Sequence, residues 1–272
     1  MFNPIRRWYT GVIVAFFLTH GAFVPEAAVR PASEAGFSLV ELFTSEGCSS
    51  CPPADRLVSQ LNGEVKGRPV YVLTYHVDYW NHLGWKDAYS DAAFSKRQRQ
   101  YAGWLRLPGV YTPQAVVNGR VEFVGSNAKA LRSAVESHLA QPVAAQLTVS
   151  GNLAEKNQVK LFFRASAAGT PVDLLIAFVQ KRAESTVARG ENEGKKLSHV
   201  QVVRKLEKIR VDDANRHVAT LPLPPGFHPA QWEVVTFLQN PGDGHVLAAS
   251  RVAFESAMGT RKPSPVSSKS LF

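Results

Sequence analysis

Apolar positions along the chain change their period near residue 142. Before it, short apolar runs alternate with helical stretches; after it, strand periodicity dominates. Residues 37–44 (Phe-Ser-Leu-Val-Glu-Leu-Phe-Thr) predict a buried strand. Residues 52–62 predict a helix with Leu57, Val58 and Leu61 on its apolar face. Proline suits that helix's start, where its missing N–H costs nothing. A second strand is expected over 70–75. A helix over 90–105 carries Phe94, Tyr101 and Leu105, with Ser90 as its candidate N-cap. Segments 114–117 and 121–124 flank Asn118-Gly119, a strong hairpin dipeptide. A third helix is expected over 126–140, capped by Ser126, with Leu131, Val135 and Leu139 on one face. The order β-α-β-α-β-β-α predicts a mixed four-stranded sheet covered by helices, ending at Gln141-Pro142.

Residues 143–256 read differently. Val159, Leu161 and Phe163 alternate with polar neighbours. Leu174, Ile176 and Phe178 have apolar residues between them, as in a strand buried on both faces. Candidate strands fall at 145–150, 158–166, 172–181, 199–211, 216–221, 232–239 and 245–254, which predicts an all-β, sandwich-like domain. Segment 182–198, rich in Gly, Glu and Lys, is expected to be a loop. The stretch Gly190–Arg204, with Glu191, Glu193, Lys195, Lys196 and His199, reads as solvated rather than functional.

The two ends carry other signals. Arg6 and Arg7 precede a mostly apolar run from about Tyr9 to Val24, and small residues appear around Ala22, Ala27 and Ala28. This pattern reads as a secretory signal over about residues 1–28, with a short N-terminal anchor as the competing reading. It places the mature chain in the periplasm or outside the cell, with no membrane span left after signal removal. Residues 257–272 read as a flexible tail.

Composition narrows the classes. Of 272 residues 45% are hydrophobic, with 15 Phe and 5 Trp, so wholesale disorder is excluded. The net charge of +9 invites a nucleic-acid partner. The charge is spread along the chain, however, and its densest cluster (Lys195, Lys196, Arg204, Lys205, Lys208, Arg210) alternates as a solvated strand face would. No nucleic-acid partner is therefore expected. Two cysteines are too few for a disulfide-stapled scaffold or a four-cysteine zinc site.

Those cysteines carry the candidate chemistry. Cys48 and Cys51 lie in Glu46-Gly47-Cys48-Ser49-Ser50-Cys51-Pro52-Pro53, after a strand and at a helix start. A ring this small removes little unfolded-chain entropy, so a structural staple explains it poorly. A helix N-terminus favours a thiolate through its free N–H groups. Cys48 is the candidate attacking thiolate and Cys51 the resolving thiol. An inert local disulfide is the competing reading.

Nearby residues extend the candidate site. Pro113, in Thr112-Pro113-Gln114, is a candidate cis proline beside the cysteine loop; an ordinary strand-initiating proline is the alternative. Glu41, inside the first strand, is a candidate proton acceptor for Cys51 or else a salt-bridged residue. His76, Asp78, Tyr79, Trp80, His82 and Trp85 follow the second strand and are candidates for a substrate groove or for loop packing.

The string Val40-Glu41-Leu42-Phe43 leading to Cys48-Ser49-Ser50-Cys51, with Thr112-Pro113 before a hairpin, resembles the thioredoxin fold over about residues 37–140. The resemblance implies an attacking Cys48, a resolving Cys51 and a cis Pro113 bordering the site. Thioredoxins hold a buried acid near the position of Glu41, at a spacing one residue different. The strings 41–55, His76-Val77-Asp78-Tyr79-Trp80 and Val110-Tyr111-Thr112-Pro113-Gln114 are similar to an uncharacterised family of bacterial secreted proteins with a thioredoxin-like domain.

The expected architecture is thus a thioredoxin-like α/β domain over 37–142 and a β-sandwich-like domain over 143–256. The leading functional expectation is a thiol–disulfide oxidoreductase of the cell envelope without a cofactor or resident metal. It would use Cys48, Cys51, Pro113 and Glu41 as catalytic residues and Thr112, His76, Asp78 and Trp80 toward substrate. Its partners would be protein or small-molecule thiols and disulfides, and a redox partner. Two alternatives stand beside it: a copper chaperone using Cys48, Cys51 and His76, and a non-catalytic binding module.

Overall fold

The structure, a computed structural model, describes residues 36–254 except 144, 168–170 and 212–215. The expected signal segment (about 1–28) and the expected tail (257–272) lie outside the described residues.

The predicted elements form with small shifts. In chain order they are β1 (Ser38–Thr44), α1 (Pro52–Glu64), β2 (Val70–His76), α2 (Ala92–Trp104), β3 (Gln114–Val117), β4 (Val121–Val124) and α3 (Ala128–Leu139). Then come β5 (Ala145–Ala154), β6 (Gln158–Ala167), β7 (Val172–Thr186), β8 (Lys196–Val211), β9 (Arg216–Pro222), β10 (Trp232–Gln239), β11 (Val246–Arg251) and β12 (Ala253–Phe254). The caps lie one residue beyond those expected. Asp91 accepts from Ala93 N–H at α2, and Asn127 from Ala130 N–H at α3. At the hairpin between β3 and β4, Asn118 (φ 48°) and Gly119 (φ 67°) both take the positive φ that its turn requires.

How the strands pair corrects the expected fold class. A helix-covered, thioredoxin-like four-stranded sheet followed by a separate sandwich is not what forms. Strands from both halves build one eight-stranded mixed sheet, ordered β11-β10-β7-β8-β2-β1-β3-β4. The second sheet has four strands, β12-β5-β6-β9. The join is at β2, whose outer edge runs parallel to β8 with Thr74 opposite Val202. Thr74 Oγ1 also donates to Val200 O at 2.9 Å. Chain periodicity reports which face of a strand is apolar and says nothing about which distant strand takes its edge.

Packing follows from the strand alternation. On β1, Val40 and Leu42 face α1 and α3, whereas Leu39 and Phe43 face α2. On β7, Leu175, Ala177 and Val179 join the α2-side core, while Leu174, Ile176 and Phe178 meet the second sheet. The strand is indeed buried on both faces.

The segment expected as a loop over 182–198 is shorter. β7 runs to Thr186 and β8 begins at Lys196, leaving 187–195 as the connection. This β7–β8 arm reaches back to the end of β1, and so shapes the site.

Candidate functional site

The chain leaves β1 at Thr44, turns through Ser45–Ser50 and enters α1 at Pro52. Cys48 and Cys51 form a disulfide within that turn. Cys51 is the N-cap residue of α1, and its carbonyl accepts from Ala54 N–H at 2.9 Å and Asp55 N–H at 3.1 Å. Both cysteines are 0% exposed, whereas Ser49 and Ser50 between them are exposed.

One side of the turn is bordered by predicted residues. The Thr112–Pro113 peptide is cis. Trp80 Nε1 donates to Thr112 Oγ1 at 2.8 Å, and Ser50 Oγ donates to Thr112 O at 3.5 Å. Ser50 Oγ also lies 3.3 Å from Cys48 Sγ. Gly47 sits where an added Cβ would come within 3.0 Å of Trp80 Cβ, so the turn and the Trp80 segment pack without room for a side chain. Cys48, Ser50, Trp80, Thr112 and Pro113 are thus brought together.

Three other candidates are held by partners of their own. Glu41 is on the face of β1 that meets α2, opposite the face that α1 covers. Arg97 Nε and Nη2 donate to its two carboxylate oxygens at 2.5 and 2.8 Å, and Tyr101 O–H donates to it as well. Its salt-bridged reading is the one that forms. Asp78 Oδ1 accepts from Ser95 Oγ at 2.5 Å, which ties the segment after β2 to α2. His76, fully buried, directs Nδ1 to Asp87 Oδ2 at 2.7 Å. Among the described residues no group of three or more His, Cys, Asp or Glu could hold a metal ion.

The other side of the turn is made by the β7–β8 arm, which sequence reasoning missed. Asn192, fully buried, donates from Nδ2 to Glu46 O at 2.8 Å and to Cys48 O at 2.9 Å. Ser49 N–H donates to Glu191 Oε2 at 2.9 Å. The 187–195 connection is therefore laid across the cysteine turn. The one signal for it in the sequence was the density of polar residues at Glu191–His199, which equally fits a solvated loop.

Beneath the turn lies a buried ionisable cluster of Glu46, Asp55, His76, Asp87 and His199. Glu46 accepts from Trp85 Nε1 at 2.7 Å and from Ser185 Oγ, and its Oε1 lies 3.3 Å from His199 Nε2. Glu46 N–H donates to Asp87 Oδ2 at 2.9 Å. The His76 and His199 rings stand edge to face, 4.6 Å apart. Burial raises the Glu46 pKa, but the hydrogen bond with His199 and those from Ser185 and Trp85 outweigh it, so the net shift is downward. Asp87 is likewise raised by burial and lowered overall by His76. Burial depresses His76, yet the Asp87 charge and hydrogen bond leave it raised. His76 and Asp87 are thus a hydrogen-bonded pair held out of water.

Among the described residues no helix is long and apolar enough to cross a membrane. No curated protein matches the chain. A crystal structure of a protein from Agrobacterium tumefaciens is similar at 28% identity, covering 82% of this chain and 96% of that one with a TM-score of 0.63. HBP35 of Porphyromonas gingivalis shares the fold at 15% identity, covering 88% of this chain and 82% of its own, with a TM-score of 0.57. The family described as "Protein of unknown function (DUF1223)" matches residues 39–239, from β1 through the cysteine turn and the covering connection to the end of β10, and the chain belongs to that family.

Proposed function

We propose that the protein is a thiol–disulfide oxidoreductase of the cell envelope whose redox couple is Cys48–Cys51. The observation that carries this reading is the disulfide's position. It closes at the N-terminus of α1, beside the cis Thr112–Pro113 peptide. A helix N-terminus stabilises a thiolate on either sulfur when the bond opens. A proline at the rim offers no N–H there to compete with a substrate chain. Its partners are thiols and disulfides, with a separate redox partner to return the couple to its starting state.

Exchange begins with a substrate thiolate attacking Cys48 Sγ, the sulfur that lies 3.3 Å from the hydroxyl of exposed Ser50. Cys51 leaves as a thiolate at the head of α1. Both cysteines are buried, so attack requires the turn to open, and the 187–195 connection is hydrogen-bonded across that turn. The arm thus acts as a cover that selects what reaches the sulfur.

The test is Cys48→Ser. Catalysed thiol oxidation or insulin reduction is expected to fall to the uncatalysed rate, with the circular dichroism spectrum retained. Turnover unchanged from the wild type would refute the assignment.

A further inference from the structure

Four carboxylates are buried on β1 or around the cysteine turn, and three of them are fully engaged. Glu41 is held by Arg97 and Tyr101, Glu46 by Trp85, Ser185 and His199, and Asp87 by His76 and the N–H groups of Glu46 and Tyr89. Asp55 differs. Its Oδ1 is buried with no hydrogen-bond partner, and its Oδ2 lies 3.8 Å from His199 Nδ1, which is also buried without a partner. Burial raises its pKa, and His199, His76 and the nearby Thr44 hydroxyl pull it down without cancelling the rise.

Its place in the chain gives it a task. Asp55 stands one helical turn after Cys51 on α1, and its N–H donates to the Cys51 carbonyl at 3.1 Å. Side chains four apart on a helix are neighbours, with Cβ atoms about 5–6 Å apart. Both residues are buried, at 0% and 6% exposure, so bulk water is shut out of any proton transfer between them. We propose that Asp55, with the His199 imidazole behind it, exchanges a proton with the Cys51 sulfur as the disulfide opens and closes. This inference rests on the thiol–disulfide reading.

The step balances. A substrate thiolate bonds to Cys48 Sγ, and the electron pair of the broken S–S bond leaves on Cys51. The Asp55 carboxyl proton passes to that thiolate, giving a thiol and a carboxylate. A second substrate thiol then releases Cys48 and forms the substrate disulfide, so the substrate loses two electrons and the protein gains them. In the reverse direction the Asp55 carboxylate takes the Cys51 proton. The resulting thiolate attacks Cys48 Sγ of the mixed disulfide and expels the substrate thiolate. His199 on β8, His76 at the end of β2 and Asp87 in the loop after it are the titratable groups that bear on Asp55. The two imidazoles favour its carboxylate, whereas Asp87 favours its carboxylic acid.

The test follows disulfide opening in the full chain with dithiothreitol across pH, corrected for the dithiol's own thiolate fraction. The corrected wild-type rate is expected to fall as pH rises through the Asp55 pKa, because the acid form donates. Asp55→Asn is expected to lower the low-pH rate at least ~10-fold, a conservative share of general acid catalysis, and to flatten the profile. His199→Gln removes an imidazole that lowers the Asp55 pKa, so its inflection is expected at higher pH. It also carries the test if Asp55→Asn fails to fold. An Asp55→Asn profile superimposed on the wild type, or an inflection unmoved in His199→Gln, would overturn the proposal. Either outcome is separable from failure of the functional reading, which Cys48→Ser turnover reports.

Discussion

Arg97→Leu is expected to lower the unfolding free energy by about 3–5 kcal/mol, the usual cost of stranding one member of a buried ion pair. Arg97 and Glu41 are 3% and 1% exposed. The guanidinium grips both carboxylate oxygens and also donates to Gln239 Oε1 at 3.1 Å and Tyr101 Oη at 2.9 Å. Its central carbon lies over the Tyr75, Tyr101 and Phe237 rings, with centroids 5.7, 5.0 and 5.3 Å away. Removing it leaves a carboxylate in an aromatic core with only a phenol to hold it. The arginine is on α2, the carboxylate on β1 and the glutamine on β10, so the network ties the two halves of the large sheet through one charge. Urea unfolding measures the loss, and Glu41→Leu/Arg97→Leu should recover much of it. A single-mutant loss under about 1 kcal/mol would show that the pair is not what holds this core.

The second large effect is kinetic. Asn192→Ala is expected to speed reduction of the Cys48–Cys51 disulfide by a small phosphine ~10–100-fold. Asn192 makes two hydrogen bonds to backbone carbonyls of the cysteine turn from a fully buried position. Leaving a buried polar group unpaired costs about 1–3 kcal/mol, and each 1.4 kcal/mol is about tenfold in an equilibrium. When opening and closing are fast, the reduction rate follows the open population. Global stability measured in urea should change far less than the rate, since the effect is local opening. A reduction rate within about twofold of the wild type would mean that the connection does not guard the sulfurs.

The elements were legible because each is local. The Asn118-Gly119 turn, the proline at the head of α1 and the alternation of Val159, Leu161 and Phe163 all act within a few residues. The partition into two separate architectures was the misreading. It failed at Thr74, whose strand meets Val202 more than a hundred residues later. Nothing in the apolar pattern of either strand names the other. The cysteine pair and Pro113 were legible from motif and order. Asn192 was not, because a buried asparagine that clamps a distant turn looks like any loop asparagine. Glu41 was legible as a buried acid but not as Arg97's partner. Asp55 lay in plain view in Cys-Pro-Pro-Ala-Asp, and only the helix placed it one turn from a sulfur.

The central claim is that Cys48 and Cys51 form a working couple rather than a staple. The most direct measurement is the equilibrium between disulfide and dithiol in thiol/disulfide buffers of graded potential, read by alkylation and mass spectrometry. The expected result is one reversible two-electron transition between about −120 and −270 mV, the span of thiol–disulfide oxidoreductases. A disulfide that stays closed until below about −300 mV, where structural disulfides lie, would contradict it.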